Sequence, residues 1–194
     1  MNVDNKIVSY KKLLFVIVFL ITINGFTQTI TVSGSNWNIN TNSTPSFTQP
    51  TEAGNNYSGT YESPGNLITL SGNIPGNLLN VLTGGVASVV SVHYTPTNWY
   101  SNLKLFVKRS GGSASISGLC VLCGTSINGG TTYIEVPQSA PVQFFTINFS
   151  GLLGLENNIT FSNINVQLQI QGVSVTVPVD NNYSTTIYFT IAAP

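Results

Sequence analysis

Charge is what this sequence most lacks. Lys, Arg, Asp and Glu make up 6% of its 194 residues, against roughly 25% in an ordinary soluble domain. A surface with so little field does not steer a charged partner over distance. Without a basic stripe, nucleic-acid binding is excluded. Histidine is as scarce. His93 is the only one, and Asp180 is the only aspartate beyond the N-terminal segment. A Ser-His-Asp triad would have to use that pair, and no GxSxG turn is present. His93 lies in a β-branched run beside Tyr94, the setting of a structural, hydrogen-bonded histidine. Glu52, Glu62, Glu135 and Glu156 show no pattern that marks a glycosidase pair. Two cysteines and one histidine fall short of the roughly four ligands of a structural zinc site. The residues therefore point away from an enzyme and imply no cofactor and no metal.

Apolar residues are not lacking. At 42% they suffice for a sizeable core and disfavour long disorder. Part of that total sits at the N-terminus, in "MNVDNKIVSYKKLLFVIVFLITINGFTQ". Lys6, Lys11 and Lys12 precede an apolar run from Leu13 to Ile23, and small residues follow. This is the order of a secretory signal peptide, with Gly25 and Thr27 placing cleavage between Thr27 and Gln28. The run is short for a membrane span, which takes about 20 apolar residues; an uncleaved anchor is the other reading. Residues 1–27 are thus expected to be a signal peptide and 28–194 a single domain with no membrane span after processing. That domain keeps Lys104, Lys108 and Arg109 against Glu52, Glu62, Glu135, Glu156 and Asp180, a net charge of −2.

Period-two alternation dominates the rest, and helical periodicity is nearly absent; "GLLGLENN" (151–158) has room for one helical turn. In "NLKLFVKR", Leu103, Leu105 and Val107 face one way and Lys104, Phe106 and Lys108 the other. In "INVQLQIQG", Val166, Leu168 and Ile170 oppose Gln167, Gln169 and Gln171. "TITV", "NLITLSG", "VASVVSVHYT", "TTYIEV", "VQFFTINF" and "VSVTVPV" also have strand character, and Pro178 puts the last at an edge or bulge. The final strand sets Tyr183, Thr185, Ile187, Phe189 and Ile191 against Ser184, Thr186, Tyr188 and Thr190. Such alternation means one buried and one wet face. Turn-forming clusters separate the runs: Ser63-Pro64-Gly65-Asn66, Ile74-Pro75-Gly76-Asn77, Gly84-Gly85, Ser110-Gly111-Gly112, Asn128-Gly129-Gly130 and Asn181-Asn182. Residues 33–66 are turn-rich and imply a long loop or short irregular strands. The sum is an all-β fold, an antiparallel β-sandwich of Ig-like or jelly-roll build.

Cys120 and Cys123 form "CVLC". Export favours a disulfide, with reduced thiols or a bond to another chain as the other readings. Cα atoms three residues apart in a straight strand are about 10 Å distant, too far for a bridge. A bond therefore requires residues 120–123 to turn, as at the end of a hairpin before Gly124. Trp37, Trp99 and Tyr100 are candidates for stacking on sugar rings, although packing within the sandwich competes for such side chains. Lys104, Lys108 and Arg109 share one strand and are expected to blunt an edge or exposed face.

The closing strand, "NNYSTTIYFTI", resembles the C-terminal strand of chaperone–usher pilins and spore-coat-U-like proteins. A signal peptide followed at once by "TQTITV" resembles exported bacterial surface proteins. The resemblance implies secretion to the periplasm or outer surface of a Gram-negative-type bacterium, and self-association or contact with other surface subunits. It also implies that Thr29, Ile30, Thr31 and Val32 fill a groove in a neighbouring subunit. The expected function is a structural or adhesive surface subunit that assembles through shared strands. The alternative is a secreted carbohydrate-binding β-sandwich module.

Overall fold

A computed structural model describes residues 27–39, 47–48, 58–75, 85–118, 120–153, 158–173 and 183–193. Residues 1–26 of the expected signal peptide, Pro178 and the expected turn at Asn181-Asn182 lie outside them. Twelve strands are present, and no helix occurs among the described residues. They are β1 (Thr29–Gly34), β2 (Phe47–Thr48), β3 (Ser58–Gly59), β4 (Tyr61–Glu62), β5 (Ile68–Pro75) and β6 (Gly85–Asn98), followed by β7 (Lys104–Ser117), β8 (Cys120–Asn128), β9 (Ile134–Glu135), β10 (Val142–Leu153), β11 (Asn158–Gln171) and β12 (Ser184–Ala192). The turn-rich stretch 33–66 contributes the end of β1 and three two-residue strands, two of which, β2 and β3, pair with each other.

One sheet has the order β1-β5-β11-β7-β9, with β4 also on β11, and the other has the order β12-β6-β10-β8. Every pairing is antiparallel. From β5 onward the chain changes sheet at every connection, and within the two large sheets no strand pairs with its immediate successor. An Ig sandwich keeps several successive strands side by side. Here β11 inserts between β5 and β7, and β10 between β6 and β8. That is the winding of a jelly roll, in which a long antiparallel ribbon folds over on itself.

Alternation puts one face of each sheet into the interlayer. Leu70 and Ile74 of β5, Leu105 and Val107 of β7, and Val166, Leu168 and Ile170 of β11 are buried from one side. Val90, Val92 and Tyr94 of β6 and Phe145, Ile147 and Phe149 of β10 are buried from the other. Each such side chain, fully buried, contributes on the order of 1.5–3 kcal/mol. A one-residue slip would turn all of them to water.

The Ser110-Gly111-Gly112 cluster corrects the expectation of a hairpin turn: β7 runs straight through it. Gly111 and Gly112 have φ of 62° and 97°, and Asn163 on the facing strand has φ of 56°. The two strands keep register across this level, whereas β5 loses a residue against β11 between Phe161 and Ile164. The inward positions change parity with it, from Ile159 and Phe161 to Ile164 and Val166 on β11. A paired bulge of this kind bends both strands and increases their twist. Glycine supplies positive φ as readily in a bulge as in a turn. A Cβ on Gly112 would stand 2.7 Å from Ile164 Cγ1, so the kink also needs the missing side chain.

The two flanks of the sandwich differ. On one, the crossing from β7 to β8 ties the sheets together, with Thr125 Oγ1 donating to the Ala114 carbonyl at 2.6 Å. Arg109 does the same from the core side. It is 7% exposed, and its guanidinium donates to the carbonyls of Gly129 at 2.6 Å, Ile127 at 2.7 Å and Gly111 at 3.2 Å. The group also lies 5.6 Å from the Phe145 ring. Burial lowers its pKa below the usual arginine value. Arg109 thus holds β7 to the β8–β9 segment, which corrects its expected place on an exposed face with Lys104 and Lys108. On the other flank lie β1 and β12, each paired on one side only among the described strands.

Candidate functional site

The outward face of the larger sheet gathers four charged side chains and three glutamines. It is built by alternation. With Leu105 and Val107 inward, β7 turns Lys104, Phe106 and Lys108 outward, and β11 turns Gln167, Gln169 and Gln171 outward opposite them. Register places Gln167 across from Lys108, Gln169 across from Phe106, and Gln171 across from Lys104. From the outer side β9 sets Glu135 beside Phe106.

Glu62 reaches this row because β4 is pinned to β11. Buried Ser63 donates its N–H to the Leu168 carbonyl at 2.9 Å, and its hydroxyl accepts from the Leu168 N–H at 2.8 Å. Gln169, 6% exposed, donates to Glu62 Oε1 at 2.7 Å and accepts from the Gln171 amide at 2.7 Å. Gln167 donates to the Ser63 carbonyl at 2.8 Å and approaches Glu62 Oε2 at 3.4 Å. The result is a ladder of amides ending on a carboxylate, each member held by its neighbours.

Tyr133 closes the row. The Lys108 ammonium stands 4.4 Å from its ring centroid. The phenol oxygen is buried, and Glu62 acts on it through its charge and as a hydrogen-bond acceptor. Together with the dominant effect, burial, this pushes the Tyr133 pKa up to about 12. Lys104 and Glu135 form an exposed ion pair at 3.1 Å. Lys104, Lys108, Glu62 and Glu135 are four of the eight charged side chains beyond residue 27, so half the charge of that segment lies on one sheet face and sums to zero.

The aromatic residues singled out from sequence lie elsewhere. Trp37, Trp99 and Tyr100 are half-buried and pack on the core. Trp99 donates its indole N–H to the Leu103 carbonyl at 2.8 Å and meets the Tyr94 ring at 5.7 Å. Trp99 and Tyr100 follow the end of β6 in the loop to β7, not in a strand. Sequence reasoning did not bring Phe106 and Tyr133 together on this face. The available signal was the alternation that turns Phe106 outward among glutamines.

Cys120 and Cys123 lie within β8 instead of in a hairpin turn. Their segment bulges: Ser150 pairs with Gly124 and Leu152 with Val121, leaving Gly151 against two residues. Leu122 has φ of 54° and is 92% exposed. A Cβ on Gly151 would meet the Leu122 carbonyl at 2.7 Å and the Cys123 Cα at 2.8 Å. Among the described residues no cysteine is free.

At the open flank, Thr29, Ile30, Thr31 and Val32 pair antiparallel with Asn73, Gly72, Ser71 and Leu70 of the same chain. Only Ile30 of β1 is half-buried; the other five residues are exposed, Val32 at 51%. β12 pairs in the same chain with β6, from Ser184 opposite Asn98 to Ala192 opposite Val89. Fully buried Ser88 joins the two: its hydroxyl lies 2.8 Å from the Ala192 carbonyl and 2.8 Å from Gln28 Oε1. A hydroxyl has one proton, so it donates to the Ala192 carbonyl while the Gln28 amide turns its N–H₂ toward it. Gln28 is thereby placed beside the end of the last strand.

His93 faces outward from β6, stacked on Tyr188 of β12 with centroids 5.0 Å apart and planes 13° off parallel. Its Nδ1 is buried without a hydrogen-bond partner, and Asp180 lies outside the described residues. Among the described residues no cluster of three His, Cys, Asp or Glu side chains could hold a metal, and no helix is long and apolar enough to cross a membrane. No protein-family profile, curated protein or solved structure matches the chain.

Proposed function

We propose that this chain is an exported bacterial surface protein with a structural or adhesive role, and that its open flank is where copies join. The observation that carries the reading is the contrast between the flanks. At one, the edge strands β8 and β9 are tied in by Arg109 and the β7–β8 crossing. At the other, β1 and β12 have no partner on their outer edges among the described strands, no such arginine or crossing ties them in, and five of the six residues of β1 are exposed. A strand held by one neighbour and little side-chain burial is the element easiest to exchange, and an open edge is a template for another chain. Main-chain pairing does not depend on charge, which suits a sequence so poor in it. The signal-peptide-like order of residues 1–27 supports export. A Cys120–Cys123 bond belongs to the same reading. It is supported by the oxidising compartment that export implies, by the absence of a free thiol among the described residues, and by the bulge at Leu122 and Gly151, where β8 departs from a straight strand.

The test is gel migration of the native protein from its source cells in SDS, with and without boiling. A ladder that collapses on heating and is lost on deletion of residues 28–33 is the expected result. A monomer band in both lanes, or a ladder indifferent to that deletion, overturns the assembly.

A further inference from the structure

The geometry points to the outward face of β4, β11, β7 and β9 as a binding platform for a neutral polysaccharide, centred on Phe106 and bounded by Glu62, Gln171, Lys108 and Tyr133. This goes beyond the assembly reading and does not rest on it, because the platform and the open flank use different strands.

The row Glu62–Gln169–Phe106–Glu135 crosses these strands in register. With strands about 4.8 Å apart it spans about 14 Å. That is longer than one sugar ring and suits a chain of several units lying flat. In its middle stands Phe106, half-buried, an apolar ring flanked by amides and carboxylates. A sugar presents an apolar C–H face and a rim of hydroxyls, and this arrangement answers both. Each hydroxyl is donor and acceptor at once, as is each glutamine amide. Gln171, Gln169 and Glu62 are already joined by bonds of 2.7 Å, so little side-chain freedom is lost when a ligand arrives.

One further feature selects the ligand class. The four charges of the face cancel, and Lys104 and Glu135 are already paired. An anionic polysaccharide therefore gains no net attraction, and a neutral one meets no uncompensated charge.

The experiment uses the full exported chain, adsorbed to insoluble cellulose, chitin, mannan, starch and galactan, with alginate as the anionic control. Retention on at least one neutral polymer, unchanged by added salt, is expected. Phe106→Ala should weaken that retention by about tenfold or more, as for a central aromatic anchor. Tyr188→Ala, on the opposite sheet, should leave it intact. Gln171→Ala guards against a folding defect: Gln171 is a half-buried side chain at the end of the amide row, so the variant should fold as well as wild type yet bind severalfold more weakly. Failure to adsorb to any neutral polymer overturns the proposal. So does preference for alginate, or adsorption that neither Phe106→Ala nor Gln171→Ala reduces.

Discussion

Arg109 donates its Nε–H to the Gly129 carbonyl at 2.6 Å from inside the sandwich, and among the described residues no carboxylate is one of its hydrogen-bond partners. A buried cation is tolerated there because three carbonyl dipoles and the Phe145 ring replace the water it has lost. Hydrogen bonds to a charged donor are stronger than neutral ones, and the planar fork reaches several acceptors at once. Arg109→Ala strands those carbonyls and opens a cavity, and should cost about 3 kcal/mol or more in urea unfolding. Arg109→Lys should recover only part of that loss, because a single ammonium cannot span the acceptors from Gly111 to Gly129.

The alternation that placed Gln167, Gln169 and Gln171 on a wet face was legible in the sequence, and the same rule applied one step further would have found Arg109. It shares parity with Leu105 and Val107, so it had to point inward; its charge argued otherwise and misled. The glycine pair at 111–112 was ambiguous for a physical reason. Positive φ serves a tight turn and a bulge equally, and only the length of the facing strand distinguishes them. The polar platform was illegible because its members arrive from remote parts of the chain. Glu62 meets Gln169 across a separation of 107 residues, a pairing set by register and by the Ser63 pin, and no local pattern encodes it. The jelly-roll winding was hidden likewise, since alternation fixes faces and says nothing about which strands are neighbours.

Tyr133 should make stability depend on pH in the alkaline range. Its pKa rises from 10.0 to about 12 in the folded chain, through burial first and the Glu62 charge second. The folded state then holds the phenol proton more tightly than the unfolded state does. That contribution is fully present below about 10 and is lost as pH climbs toward about 12. Thermal melting of wild type and Tyr133→Phe across this window should show wild type falling faster. Parallel curves would mean that the phenol ionises as freely in the folded protein as in the unfolded chain.

The bulge at Asn163 makes a separate demand on backbone conformation. At φ of 56°, asparagine is among the few non-glycine residues at ease. Asn163→Gly should be close to neutral, whereas Asn163→Val should destabilise by about 1–3 kcal/mol, because a β-branched side chain crowds the backbone in that region. Denaturant midpoints of the two variants decide it. Equal midpoints would show that the strands can run through this level without the kink.

Ser88 ties the first described residues of the domain to its last strand, and its removal should be felt at both. Ser88→Ala leaves the Ala192 carbonyl, and the Gln28 amide beside it, short of a partner, a loss of about 1–3 kcal/mol. The effect should be uneven. β5 and β11 lie in the middle of their sheet, while β1 has one neighbour and little burial, so the amides of Thr29–Gly34 should exchange with solvent much faster in the variant while those of β11 change little. Local opening of a weakly held edge behaves this way. If β1 is the exchangeable element of the open flank, the same substitution should also raise the proportion of heat-labile, SDS-resistant assembly. Faster exchange without more assembly would separate the looseness of β1 from any role in joining copies.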